Sequence, residues 1–333
     1  MIAGRALAFS DPEIIRMAKE DFVPVALDDW YQRRRQDAEG AFFKKVYSQD
    51  ESRAAPDRPN RQGIYCFTPS GKLLGVKNAG QLVDVTRELL RQALSKWEAL
   101  PEEERAPGRV KVPPLRYPDS RYVPAKPPAG CLVLDVFTRV FEVDGQGEPR
   151  KGGSATAGGD WAARDKMWVF EPEWKALVPA KAQPGDVVQV PQPLVHRLLA
   201  FHLRDNTTGQ SPRWDRRELR TRDLRLTVDE ASPDSLKLRL EGVAVMATDA
   251  NLERAERGLD LRLLGYLTFD RTTGAFSRFD VLALGRNWGR AADIGEGRPG
   301  KGPIGMLIQL APGSPYDNVA PEFMKLREYL TGE

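Results

Sequence analysis

The stretch LRLTVDEASPDSLKLRLE, residues 224–241, decides the fold of the larger part of this chain. Leu224, Leu226 and Val228 alternate with Arg225, Thr227 and Asp229. After a Pro233-Asp234 turn, Leu236, Leu238 and Leu240 alternate with Lys237, Arg239 and Glu241. A period of two puts the apolar residues of each run on one face, which predicts a β-hairpin with one wet side. Downstream, Leu261 to Phe269 and Ala275 to Leu284 predict a second hairpin around Arg271-Thr272-Thr273-Gly274, and Ile304 to Leu310 a further strand. Glu322 to Leu330 predicts a closing helix. Upstream, Cys131 to Val143 is apolar on both faces, as a central strand would be. No repeat of fixed period runs through the chain.

The first hundred residues read differently. Ser10-Asp11-Pro12-Glu13 opens a helix, with a capping residue, an early proline and a glutamate three after Ser10. Phe22 to Leu27 predicts a strand in which Pro24 demands a bend or an edge position. Residues 32–47 predict a helix with Phe42, Phe43 and Val46 inward, and residues 48–62 an exposed loop. Ile64 to Phe67 and Lys72 to Val76 predict two strands around Pro69-Ser70-Gly71. A long helix follows from about Gln81 to Leu100, with Leu82, Val85, Leu89, Ala93 and Trp97 at helical spacing.

This order of elements, with SDPEIIRMAKEDFVPVALD at its start and FTPSGKLLG as its hairpin, resembles the thioredoxin superfamily after its first strand, over residues 1–100. The resemblance implies a thioredoxin-like α/β domain, incomplete or redox-inactive. The family's Cys-x-x-Cys would fall where only Met1 to Phe9 stands, and Gln62-Gly63 occupies the place of its cis-proline. Without a low-pKa thiolate at a helix N-terminus, dithiol exchange has no nucleophile.

Residues 101–130 hold eight of the 26 prolines, which favours extended polyproline structure and predicts a linker. The expected architecture is therefore α+β: a thioredoxin-like domain over 1–100, a proline-rich linker over 101–130, and a mainly antiparallel β domain with a C-terminal helix over 131–333. The whole chain also resembles two-domain proteins of planctomycete-type bacteria, a resemblance that implies no substrate.

Fifty basic and 47 acidic residues leave a net charge of +3, too balanced for a general nucleic-acid binder. Arg33-Arg34-Arg35 and the run Arg213, Arg216, Arg217, Arg220, Arg222 and Arg225 are interleaved with acids, as in solvated faces or ion-pair networks. No apolar run is long enough to span a bilayer, and MIAGRALAF is not a signal peptide as it stands, although a trimmed leader leaves export open. Cys66 and Cys131 fix neither a disulfide nor a compartment, and Cys66 reads as a buried thiol. Asn206-Thr207-Thr208 matches a short glycosylation sequon.

His196 and His202 are the two histidines. On a helix a spacing of six turns their rings roughly 120° apart, so no shared metal site is expected, and no cofactor. Leu194, Leu198 and His202 form one stripe, which makes His202 a packing residue. As a catalytic alternative, His196 or His202 would act as a general base oriented by Asp160 or Asp205. The glycine-rich loop Gly152 to Gly159 runs into Asp160, Trp161, Arg164, Asp165 and Trp168; of these Arg164, Asp165, Trp161 and Trp168 are ligand-pocket candidates and a surface helix with a local ion pair the plain reading. The expectation is a non-catalytic binding or scaffold protein for a protein or small-molecule ligand, with the cleft between domains as contact region. A hydrolase or lyase is the alternative, and single-cysteine redox chemistry at Cys66 a weaker third.

Overall fold

The computed structural model describes residues 8–9, 11–27, 29–51, 62–78, 82–105, 126–141, 163–207, 212–289, 298–314, 317, 320–321 and 326–331. The chain divides into two compact units, Gly4–Val123 and Pro124–Glu333 with Met1–Ala3. The division falls inside the proline-rich stretch, most of which lies outside the described residues, as does the loop from Gly152 to Asp160 and Trp161.

In the N-terminal unit α1 (Pro12–Glu20) starts at Asp11, whose carboxylate accepts the Glu13 and Ile14 amides. Such a cap satisfies amides that a helix start leaves without partners, which stabilises it by about 1 kcal/mol. Of the span 32–47 expected as one helix, α3 (Ala38–Tyr47) takes the second part, and the short α2 (Asp29–Gln32) ends where it begins. Asp37 caps α3 by accepting the Gly40 amide. Strands β1 (Ile64–Phe67) and β2 (Leu73–Lys77) pair antiparallel, and α4 (Val83–Glu98) covers them. The helix comes so close at Gly75 that a Cβ there would lie 2.8 Å from Leu89 Cδ1. Ile14, Met17, Cys66, Leu74, Leu89 and Ala93 form the core. A short helix, α5 (Glu102–Arg105), follows.

One expectation fails here. Residues 22–27 form no strand, and Val23 and Val25 are 89% and 65% exposed. Pro24 lacks the amide a ladder needs, and the described residues offer the segment no partner strand.

The C-terminal unit is α+β, dominated by an antiparallel sheet in the order β4-β3-β10-β9-β8-β7-β6-β5. Its strands are β3 (Leu132–Val140), β4 (Ala163–Val169), β5 (Val187–Val188), β6 (Leu219–Ala231), β7 (Ser235–Ala247), β8 (Arg257–Asp270), β9 (Ala275–Gly289) and β10 (Arg298–Leu310). Both expected hairpins are present: β6 and β7 join at Ser232–Ser235, and β8 and β9 at a turn where the Asp270 carboxylate accepts the Thr272 and Thr273 amides. The alternating leucines of residues 224–241 face inward as their period requires. Within the run expected as a central strand, Leu132–Val140 forms β3, second from the sheet edge.

Helix α6 (Glu171–Ala176) follows β4, and α7 (Gln192–Arg197) runs on as a π turn over Leu198–His202. The π turn touches both β4 and β6. In a flat sheet those strands would stand six spacings apart, roughly 29 Å at about 4.8 Å each. One helical turn cannot reach that far, so the sheet curls around it. Glycine on the concave side allows the bend: a Cβ at Gly285 would lie 1.9 Å from the Asp260 carbonyl oxygen. Leu194, Leu198, Leu199 and Leu203 fill the interior against Leu226, Leu238, Leu261 and Met306. The last helix described is α8 (Leu326–Thr331).

Candidate functional site

Strand β4 is an edge, yet six of its seven residues are buried. An edge strand carries outward amides that need partners. Helix α8 supplies one through Tyr329: its hydroxyl accepts the Trp168 amide at 2.8 Å. The phenol is fully buried and meets Trp168, Phe170, Phe201 and His202 edge-on, with centroids 5.3–6.5 Å apart. Burial pushes its pKa well above the ordinary value, so it remains a neutral donor.

The same hydroxyl lies 3.0 Å from His202 Nε2, and His202 Nδ1 lies 3.3 Å from Asp165 Oδ2. The carboxylate favours a proton on Nδ1, which leaves Nε2 to accept from the Tyr329 hydroxyl. Burial, ahead of the opposing pull of Asp165, holds the imidazole below its ordinary value, so it is neutral at pH 7. Asp165 Oδ1 accepts the Lys166 amide at 2.8 Å, and the charge of buried Arg204 acts on the same carboxylate. Chemically this is an acid–base relay of Tyr, His and Asp. All three side chains are closed off: Asp165 is 5% exposed, His202 1% and Tyr329 0%.

Buried charges flank the relay. Arg197 binds Glu173 at 2.7 Å, lies 3.9 Å from the centre of the Phe170 ring and donates to the Tyr329 carbonyl at 3.3 Å. Lys166 bridges Asp135 and Asp317, while Arg164 binds Asp135 through two nitrogens at 2.9 and 3.1 Å. Burial opposes ionisation of Asp135, yet the Arg164 and Lys166 bonds hold its carboxyl below the ordinary value. Removing one partner of such a pair would strand the other's charge in a dry interior.

The candidate residues do not converge. Asp165 meets His202, as described. Trp168 is core, with its amide bound to Tyr329. Arg164 is on the outer face of the sheet, stacked 5.5 Å from the Phe137 ring. Among the described residues Asp205 accepts the Thr207 amide and hydroxyl and the Asn287 side chain. His196 is half-buried, edge-on to Phe201, and held below its ordinary pKa by burial and then by the charges of Arg216, Arg213, Arg222 and Arg197. Asp160 and Trp161 lie outside the described residues. Asn206, 5% exposed, is closed to a glycan. Among the described residues no group of three or more His, Cys, Asp or Glu gathers as a metal site would.

One surface stands out instead. Val243, Leu264, Tyr266, Leu282 and Leu284 are 38–46% exposed on the convex side of β7, β8 and β9. Leu282 stands in register with Leu264 and with Leu307, so these three form a cross-strand row, while Val243 and Leu284 stand opposite Arg262 and Tyr266 opposite Asp280.

Sequence reasoning missed Tyr329, Glu173 and Arg197. Tyr329 is 127 residues from His202, and nothing local marks it beyond membership of a closing helix. Comparison with protein-family models, curated proteins and solved structures returns no match for the chain.

Proposed function

We propose that this chain is a non-catalytic binding or scaffold protein whose contact surface is the convex apolar face of β7–β9. The observation that carries this reading is the cross-strand row of Leu264, Leu282 and Leu307, with exposed Leu284 beside it on β9. Apolar side chains gathered on a wet sheet face gain free energy when a protein or small-molecule ligand covers them. The relay of Asp165, His202 and Tyr329 supports the non-catalytic half, since a substrate needs access to the reacting nitrogen. In this reading the N-terminal unit is a redox-inactive relative of the thioredoxin fold. Its β1–β2 hairpin covered by α4, and its buried Cys66, support that. No described helix is long and apolar enough to cross a membrane.

Two measurements on the intact protein test the proposal. Retention on an immobilised phenyl ligand should fall sharply in the double variant Leu264→Lys, Leu282→Lys with its circular dichroism unchanged. Turnover of ester, phosphoester, glycoside and β-eliminating substrates should not exceed buffer. Turnover lost in folded His196→Gln or His202→Gln would favour the hydrolase or lyase reading.

A further inference from the structure

The contact surface proposed above has a length and a charge pattern that select its occupant, an inference that rests on that proposal. The register carries the row of Leu264, Leu282 and Leu307 one strand further, to Phe137 on β3. There the Arg164 guanidinium, 5.5 Å from the centre of the Phe137 ring, closes the row. From β8 through β9 and β10 to β3 it crosses three strand spacings, about 14 Å at ~4.8 Å each. A helix rises about 1.5 Å per residue, so roughly ten residues span that distance, with apolar positions at i, i+3, i+4 and i+7 on one side. A sheet buries an apolar face most simply under a helix laid on it as a further layer. The inner face already has such a filling in Leu194, Leu198 and Leu199.

The charges on the two sides of the row differ. On one side they are compensated within the face: Arg239 reaches Asp229 and Glu241 at 3.2 and 3.0 Å, and Arg278 reaches Asp280 at 2.7 Å. On the other, Arg262 stands in register between Val243 and Leu284, two residues from Leu264 on the same strand. It is exposed and has no ion pair among the described residues. Arg286 follows on β9, opposite Asp260.

A partner that covers Leu264 and Leu284 therefore covers Arg262 as well. Drying a guanidinium beneath apolar side chains is costly unless an acceptor comes with them, and a carboxylate matches its fork with two bonds. Other occupants fit less well. Two copies of this chain would meet convex face to convex face along a narrow strip, whereas a stable dimer buries about 800 Å² on each partner. An anionic membrane would press its head groups onto Glu241, Asp260 and Asp280, acids of the same face.

We propose that the row from Leu264 to Phe137 is the docking site of an amphipathic helix of a partner protein, with a carboxylate beside its apolar stripe that pairs with Arg262.

The test is fluorescence anisotropy of the full chain with two labelled synthetic helices of equal length. Both carry leucine at i, i+3, i+4 and i+7; the flanking positions are glutamate in one and lysine in the other. The glutamate helix should bind saturably and at least about tenfold more tightly than the lysine helix. Arg262→Glu should reverse that preference, which a misfolded variant could not do, and the double variant Leu264→Lys, Leu282→Lys should lose the glutamate helix. Retention on the phenyl ligand separates the two claims. Retention that depends on Leu264 and Leu282, with neither helix bound or both bound equally, overturns the acidic helix and leaves the contact surface standing. Retention indifferent to those leucines refutes the surface and the helix site with it. Cosedimentation with phosphatidylserine vesicles, or dimerisation at sedimentation equilibrium, would overturn the helix in favour of a membrane or a second copy if the double variant abolished it.

Discussion

The Tyr329 hydroxyl, 3.0 Å from His202 Nε2, joins the last helix to the π turn through a hydrogen bond with no access to water. The same oxygen accepts the Trp168 amide of the edge strand. One phenol therefore satisfies a ring nitrogen and a backbone donor that burial would otherwise leave without partners.

Tyr329→Phe keeps the ring and deletes both bonds. Two buried polar groups lose a partner, each at about 1–3 kcal/mol. The variant should be destabilised on that scale. Hydrogen exchange checks the cause: the Trp168 amide should lose protection more than its neighbours in β4.

Acid should weaken the C-terminal unit through the same group. His202 has a folded pKa below its unfolded value of 6.5, so between the two the unfolded chain binds the extra proton. Stability from this residue is complete above pH 6.5 and falls as the pH drops towards the folded pKa, by up to about 1.4 kcal/mol per pH unit. His196, also lowered, adds in the same direction. Urea melts from pH 7.5 to 5 should show the slope, and His202→Gln should flatten it.

Both cysteines should resist alkylation. Burial pushes the Cys66 thiol up to about 11 and the Cys131 thiol up to about 12. Thiolate is the reactive form, so little is present at pH 8. Iodoacetamide should label neither in the native protein and both after unfolding, and insulin reduction with dithiothreitol should not exceed buffer. A clear rate abolished by Cys66→Ser would refute redox inactivity.

Gly285→Ala should damage the sheet more than a typical strand substitution. The added carbon would meet the Asp260 carbonyl oxygen and crowd the Leu261 backbone, where no flexible side chain can yield. A loss of about 1–3 kcal/mol or more is expected. Thermal unfolding of the variant measures it.

The β-rich unit was legible because its signals are local: alternation over 224–241 names strand, face and turn together. Residues 22–27 misled because an apolar run with a proline looks the same whether or not a partner strand exists. The helical stripe placed His202 inward correctly, but its partners come from β4 and α8, joined only by folding. The sequence offers Asp160 or Asp205 as the orienting acid, whereas Asp165 reaches His202 because the curled sheet brings β4 against the π turn. The arginine run looked like a solvated, ion-paired face. Two members are paired that way, Arg213 with Glu328 and Arg217 with Asp215.

The most direct test of a sealed relay is native-state acylation by diethyl pyrocarbonate at pH 6.5, mapped by mass spectrometry. The half-exposed, neutral His196 should be carbethoxylated, while His202 should react only after unfolding. Modification of His202 at a rate comparable to His196 in the folded protein would contradict the account, since an imidazole that meets the reagent can also meet a substrate.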